Sequence, residues 1–267
     1  MNFFIAKLLT MFPIIKQKPP KISSQMLRGY GRVNYWYLNE DELDEDLARC
    51  KASGVDVYHI EYSGFGATNI YTNVNTDNVR KAYKSLVKKI RALGMWLFVS
   101  VVNDNMGSGK YGDQKIPLSK LYNNALAELA FIKSCGSDNV IVQPVAETQT
   151  SAGTKFENDT KAVLAGWTLV NNGSGGRPSG NNGMAYRAVH PSSIANCSKY
   201  GNAIVSSDHG LIIKELAADG TLNGPGSPQK ITIFLQNSRA AGAPMCVYYA
   251  FQREKHDRDA IEAMGKI

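Results

Sequence analysis

Short apolar runs alternate with longer amphipathic stretches along most of the chain, from Gly31 onward. This alternation is typical of repeated βα units built around a parallel sheet. The amphipathic stretches carry apolar residues three and four positions apart, as a helix with one buried face requires. The predicted strands are Arg32–Leu38, Val55–Tyr62, Met95–Val102, Val140–Ala146, Ala165–Val170, Met184–Val189, Ala203–Ser207 and Met245–Phe251.

Helices are predicted between most of these strands. Gly54 and Gly94 come at the ends of two of them and are expected to terminate them. The predicted helices are Glu40–Ala52, Asn78–Leu93, Leu118–Ser134, Phe156–Val163, Ser192–Tyr200, Pro228–Ala240 and Asp257–Gly265.

Eight strands in 267 residues predict an α/β fold, a single (β/α)₈ TIM barrel with an N-terminal extension. A doubly wound open sheet is the alternative, but it would usually carry a glycine-rich phosphate-binding turn after its first strand. Here Asn39–Glu42 follows the first predicted strand, and its acidic residues would repel a pyrophosphate. We expect residues 1–29 to form a basic, apolar arm or targeting segment and residues 30–267 to form the barrel.

The net charge of +7 comes almost entirely from the N-terminal segment. Residues 1–32 hold six of the 30 basic residues and no acidic residue, which leaves 24 basic and 23 acidic residues in the rest of the chain. A nearly neutral body argues against nucleic-acid binding. Residues 1–25 could be a secretory signal, an amphipathic membrane anchor or an arm that docks on a protein assembly.

The loops that follow three predicted strands are polar and rich in glycine. They are Ser63–Asn69, Asn103–Asp113 and Asn171–Gly183. In a parallel barrel these loops all lie at the C-terminal face, where barrel enzymes build their active sites. They could also be ordinary surface loops, which are commonly polar.

Two carboxylates are the candidate catalytic residues. Glu147 directly follows the fourth predicted strand, and Asp208 directly follows the seventh. A pair of carboxylates across a barrel mouth can hydrolyse a glycosidic bond, one as general acid and the other as nucleophile or base. Asp208 could instead cap a following helix, and Glu147 could be an exposed strand-end residue.

Further polar and aromatic residues near the strand ends could bind a sugar. The candidate substrate-binding residues are Glu61, His190, His209, Tyr249 and Tyr35. Glu61 shares its strand face with His59, and the two could equally form a buried, satisfied pair.

Several other chemistries lack their motifs. The sequence has no metal-binding pair of the His-x-His or His-Glu-x-x-His type, no phosphate-binding loop and no Gly-x-Ser-x-Gly elbow. We therefore expect neither a metal nor a cofactor.

The strand-end residues resemble the clan A glycoside hydrolases, the cellulase-like retaining barrels. In that family the fourth strand ends in Asn-Glu, the acid/base, and this sequence has Ala146-Glu147 there. The seventh strand of the family ends in a nucleophilic Glu, and this sequence has Val205–Gly210. The sixth strand of the family carries His-x-Tyr, and this sequence has His190-Pro191-Ser192 there. The eighth strand of the family carries an aromatic residue that stacks on the sugar, and Tyr249 or Phe251 would take its place here.

The resemblance implies that Glu147 is the acid/base and leaves the nucleophile divergent. Either Asp208 takes the nucleophile's place, one methylene shorter, or Ser207 does and the site is inactive. A greater distance between the two carboxylates would favour inversion of the anomeric configuration over its retention. The missing Asn before Glu147 would remove the family's contact to the sugar 2-hydroxyl.

The sequence therefore predicts a glycoside hydrolase that acts on a polysaccharide or oligosaccharide. The alternative is a catalytically degenerate glycan-binding or structural module of a larger assembly, such as a phage virion. Both hypotheses favour an extracellular, cell-surface or virion-associated protein over a cytoplasmic one.

Overall fold

Eight parallel strands form a closed barrel in the computed structural model. The structure describes residues 25–32, 36–37, 39–63, 76–103, 118–146, 150–172, 184–189, 211–216, 243–250 and 257–266, with parts of 232–240. The strands are β1 (Leu27–Arg32), β2 (Val57–Glu61), β3 (Trp96–Asn103), β4 (Val140–Ala146), β5 (Thr168–Asn172), β6 (Tyr186–Val189), β7 (Leu211–Leu216) and β8 (Met245–Ala250).

The described residues also form five helices. They are α1 (Glu40–Ala52), α2 (Thr76–Ala92), α3 (Leu118–Ser134), α4 (Ser151–Val163) and α5 (Asp257–Gly265). As predicted, Gly54 and Gly94 follow α1 and α2 in the left-handed conformation, with φ of 78° and 63°. None of the described helices is long and apolar enough to cross a membrane.

Pairing of the first and last strands closes the barrel. Each strand pairs with its neighbour in sequence, and β1 pairs with both β2 and β8 in parallel. The predicted (β/α)₈ barrel is therefore confirmed. Because all eight strands run in one direction, their C-terminal ends meet at one face, which we call the mouth.

The barrel interior is apolar towards the N-terminal ends of the strands. Its inner cluster consists of Leu27, Val57, Phe98, Ile141, Val170, Ala188, Met245 and Val247. Two glycines of β1 leave room for these side chains. A Cβ on Gly29 would lie 2.9 Å from Val247 Cγ2, and one on Gly31 would lie 2.6 Å from His59 Cβ.

Arg28 ties three parts of the chain together at the face opposite the mouth. Its Nε donates to Asp56 Oδ2 over 3.0 Å, which links β1 to the residue just before β2. Its Nη1 donates to the backbone oxygen of Gly265, also over 3.0 Å. The last helix, α5, is thereby fastened to the first strand.

The prediction of the first strand was wrong. β1 spans Leu27–Arg32, not Arg32–Leu38, so it begins inside the segment that we assigned to the arm. Gly29 and Gly31 lower the strand propensity of this segment, yet the interior requires them. Trp36, by contrast, lies in a turn and is buried in the core between barrel and helices. The division into arm and barrel stays a prediction, since residues 1–24 lie outside the described residues.

The prediction of the seventh strand was also wrong. β7 spans Leu211–Leu216, where it pairs with β6 and β8, and Ala203–Ser207 lies outside the described residues. Both segments are short apolar runs of similar strand propensity, so periodicity could not choose between them. The predicted helix Ser192–Tyr200 also lies outside the described residues.

Substitution of Gly31 by alanine tests how tightly the interior is filled. We expect Gly31→Ala to lower the free energy of unfolding by about 1–3 kcal/mol, because the new Cβ would overlap the His59 side chain. Gly29→Ala is the matched control on the same strand face. The new Cβ of Gly29→Ala would lie 2.9 Å from a methyl group of Val247, which can move more easily than the His59 side chain. The loss of unfolding free energy should therefore be smaller. Urea unfolding followed by circular dichroism measures both, and a Gly31→Ala protein as stable as wild type would contradict the packing described here.

Candidate functional site

The mouth begins where each strand ends. β4 ends at Ala146 and β6 ends at Val189, so Glu147 and His190 are the first residues after these two strands. Both residues themselves lie outside the described residues. Their assigned roles, acid/base and substrate binding, therefore stay predictions.

Asp208 and His209 were expected to follow the seventh strand. Because β7 starts at Leu211, both residues precede this strand in the sequence instead. A residue just before a parallel strand is on the opposite side of the barrel from one that follows it. Both residues lie outside the described residues, and the strand assignment removes the reason for giving them catalytic or sugar-binding roles.

The two predicted aromatic residues differ in position. Tyr35 was expected on a strand, but β1 ends at Arg32, so Tyr35 follows the strand and lies outside the described residues. Tyr249 does lie on β8, where it pairs with Gly31. Its side chain is not among those described.

Sequence reasoning missed a carboxylate on the seventh strand. Glu215 is the next-to-last residue of β7. The pairing of β7 with β8 shifts between Ile213, which pairs with Cys246, and Leu216, which pairs with Tyr248. Lys214 and Glu215 lie between these two pairings, opposite the single residue Val247 of β8. Correct identification of the strand would have revealed this glutamate.

A row of hydrogen-bonded polar side chains crosses the barrel interior above the apolar cluster. We call His59, Glu61, Ser100 and Gln143 the polar row; all four are fully buried. Glu61 pairs with Ser100 and Ser100 with Gln143, so these three residues lie at one level across β2, β3 and β4, and His59 lies two residues below Glu61 on β2. Of the predicted site residues, Glu61 is the one whose side chain is described.

The hydrogen bonds of the polar row indicate which ring nitrogen of His59 carries a proton. Ser100 Oγ donates to Gln143 Oε1 over 2.6 Å and lies 3.1 Å from His59 Nε2. A serine hydroxyl has only one proton to donate. The proton between His59 and Ser100 must therefore come from Nε2, which makes His59 a donor at that nitrogen. Glu61 Oε1 lies 3.8 Å from the same nitrogen, which is an electrostatic contact longer than a hydrogen bond.

Side chains of the helices and of the turn after β1 form hydrogen bonds with the residues at the end of β2. Tyr62 OH donates to Glu128 Oε2 over 2.6 Å, and Arg80 Nη2 donates to Glu128 Oε1 over 2.7 Å. The hydrogen bond to Glu128 raises the pKa of the Arg80 guanidinium, so this arginine stays charged. Trp36 Nε1 donates to the backbone oxygen of Glu61 over 3.1 Å. These contacts from α2, α3 and the turn after β1 set the position of the residues that enter the mouth.

No metal site emerges from the described part of the chain. Within it, no group of three or more histidine, cysteine, aspartate or glutamate side chains could hold a metal ion. The polar row contains one histidine and one carboxylate, which are too few ligands for a closed site.

Comparisons with known proteins identify the fold. No protein-family model matches the sequence, and no curated protein matches it. Among solved structures, an endo-β-1,4-mannanase from Thermotoga petrophila superposes with a TM-score of 0.61 at 8% identity, covering 92% of this chain and 78% of the mannanase. A GH5 family lichenase from Caldicellulosiruptor sp. F32 gives a TM-score of 0.61 at 13% identity, with 95% and 98% covered.

A fungal enzyme gives the same result. The endo-1,4-β-mannanase from Rhizomucor miehei superposes with a TM-score of 0.58 at 9% identity, covering 93% of this chain and 97% of the mannanase. At such low identities the similarity establishes the fold alone. The chain has a cellulase-like TIM-barrel fold, shared with glycoside hydrolases.

Proposed function

We propose that the protein is a glycoside hydrolase that cleaves a polysaccharide at the mouth of its barrel. The observation that carries the proposal is the position of Glu147, the first residue after β4 in a closed parallel barrel. A carboxyl group at this strand end can protonate the leaving oxygen of a glycosidic bond. The fold shared with mannanases and a lichenase supports a β-linked polysaccharide as the substrate class.

The second carboxylate in this proposal is Glu215. It lies at the C-terminal part of β7, the strand on which the clan A enzymes carry their nucleophile. Glu215 has the same side chain as the nucleophile of those enzymes, whereas the side chain of Asp208 is one methylene shorter. Glu147 then acts as general acid and later as base, while Glu215 attacks the anomeric carbon.

The remaining candidates would bind the sugar. His190 follows β6, and Tyr249 lies on β8, so both belong to strands that end at the mouth. An imidazole can donate a hydrogen bond to a sugar hydroxyl, and an aromatic ring can stack on the apolar face of a sugar. Glu61, fully buried at the end of β2, would support these residues from below.

The mechanism predicts which carboxylates are needed for activity. On a panel of β-glucans, mannans, xylans and bacterial capsular glycans, wild type should release new reducing ends from at least one substrate. Glu147→Gln and Glu215→Gln should each lose about 100-fold or more of that activity, because each removes a group that acts in the transition state. Asp208→Asn is the matched control and should retain nearly full activity.

Three outcomes would contradict this assignment. Full loss of activity in Asp208→Asn would restore Asp208 as the partner of Glu147. Asp219 is the next carboxylate in the sequence, three residues after the end of β7. Loss of activity in Asp219→Asn with an active Glu215→Gln would make Asp219 the second carboxylate. Absence of cleavage by wild type, with glycan still bound, would favour the glycan-binding module of a larger assembly. Thermal unfolding of every variant verifies that a loss of activity is not a loss of folding.

The role of Glu215 also predicts the stereochemistry. A nucleophilic carboxylate gives a product that retains the anomeric configuration of the substrate, because the bond is displaced twice. Proton NMR of the anomeric region during the first minutes of cleavage measures the configuration before mutarotation mixes it. An inverted product would instead mean that Glu215 activates water, which requires carboxyl groups about 6.5–9.5 Å apart.

A further inference from the structure

A buried hydroxyl group lies at the end of β2 without a hydrogen-bond partner. Ser63 is fully buried, and its Oγ makes no hydrogen bond within the described part of the chain. In the nearby polar row, Ser100 Oγ donates to Gln143 and lies within hydrogen-bond distance of His59. A buried hydroxyl with no partner is costly, because water satisfies it in the unfolded chain.

The contacts of the neighbouring residues bear on the face of the barrel to which Ser63 belongs. The preceding residue, Tyr62, faces the helices, where its hydroxyl donates to Glu128 on α3. Tyr62 N still donates to Ser100 O over 2.7 Å, so the strand pairing reaches this point. Val57, His59 and Glu61 share one face of β2, and we infer that Ser63, two residues after Glu61, continues on that face.

Ser63 also lies close to the level of the proposed acid. The register pairs Glu61 with Ser100, so two residues further along Ser63 is level with Val102. Val102 pairs with Val145, which is two residues before Glu147. Ser63 is thus two residues beyond Glu61 of the polar row, just after the end of β2.

We propose that Ser63 Oγ is a specificity contact that exchanges a hydrogen bond with a hydroxyl group of the glycan bound in the mouth. This inference rests on the proposed glycosidase function. A serine hydroxyl suits the task because it can both donate to and accept from a sugar hydroxyl. The unsatisfied hydroxyl of the free protein gains its partner when the glycan binds, so part of its desolvation has already occurred before binding.

A second buried hydroxyl provides a matched control. Thr168 Oγ1 is buried and likewise makes no hydrogen bond within the described residues. Thr168 is the first residue of β5, at the end of the barrel opposite the mouth. Thr168→Val removes an unpartnered hydroxyl that a bound glycan cannot reach.

The test compares stability and binding in the same variants. Ser63→Ala should unfold at a temperature no lower than wild type, because it removes an unsatisfied group and no hydrogen bond. With the best-cleaved oligosaccharide of the panel, its KM should rise about fivefold, the usual effect of one lost neutral hydrogen bond, while kcat changes less than twofold. The Kd of the same oligosaccharide for Ser63→Ala/Glu147→Gln, against Glu147→Gln alone, should rise equally. Thr168→Val should leave both KM and Kd unchanged.

Different outcomes overturn the proposed Ser63 contact and the proposed glycosidase function. A Ser63→Ala protein that unfolds several degrees lower, or that binds the oligosaccharide as wild type does, overturns the inference while cleavage by wild type upholds the function. An equal rise of KM in Thr168→Val would show a general effect on the barrel and would also overturn it. If wild type neither cleaves nor binds any glycan of the panel, both proposals are overturned.

Discussion

Closure of the barrel through β1 is the constraint on which the rest of the structure depends. This strand must pair with β2 on one side and β8 on the other, and Gly31 faces His59 and Tyr249 across these two pairings. The interior at this level has no room for both a side chain on β1 and the imidazole of His59. A glycine on β1 is therefore the condition under which a histidine can sit inside a closed barrel.

The polar row marks the change from an apolar to a polar barrel interior. Below it, the inner cluster is filled by aliphatic and aromatic side chains, which stabilise the barrel by leaving water. At the row, buried ionisable groups replace them, and such groups usually contribute less stability than apolar residues of the same volume. His59 and Glu61 carry this cost at the end of the barrel where the strands open into loops.

The sequence predicted the fold class and most elements because their signals are local. The four helices Glu40–Ala52, Leu118–Ser134, Thr76–Ala92 and Asp257–Gly265 have clear apolar faces or end signals, and β4 was predicted to the residue. The two misplaced strands have non-local causes. β1 depends on glycines whose value appears only when His59 and Val247 pack against them, and β7 is selected by its pairing with β6 and β8.

The site was predictable to the same extent. Glu147 follows from the correct end of β4, whereas the partner carboxylate was assigned to Asp208 because the seventh strand was placed too early. Glu215 lies on a strand whose pairing with β8 is shifted, and no periodicity in the sequence reports such a shift. Ser63 carried no signal at all, since an unsatisfied hydroxyl is recognised only from its surroundings.

The fastening of α5 to β1 by Arg28 has a consequence for engineering the protein. The arginine brings the start of the first strand and the end of the last described helix to the same side of the barrel, opposite the mouth. A partner domain or an immobilising surface joined on this side of the barrel would therefore leave the mouth uncovered.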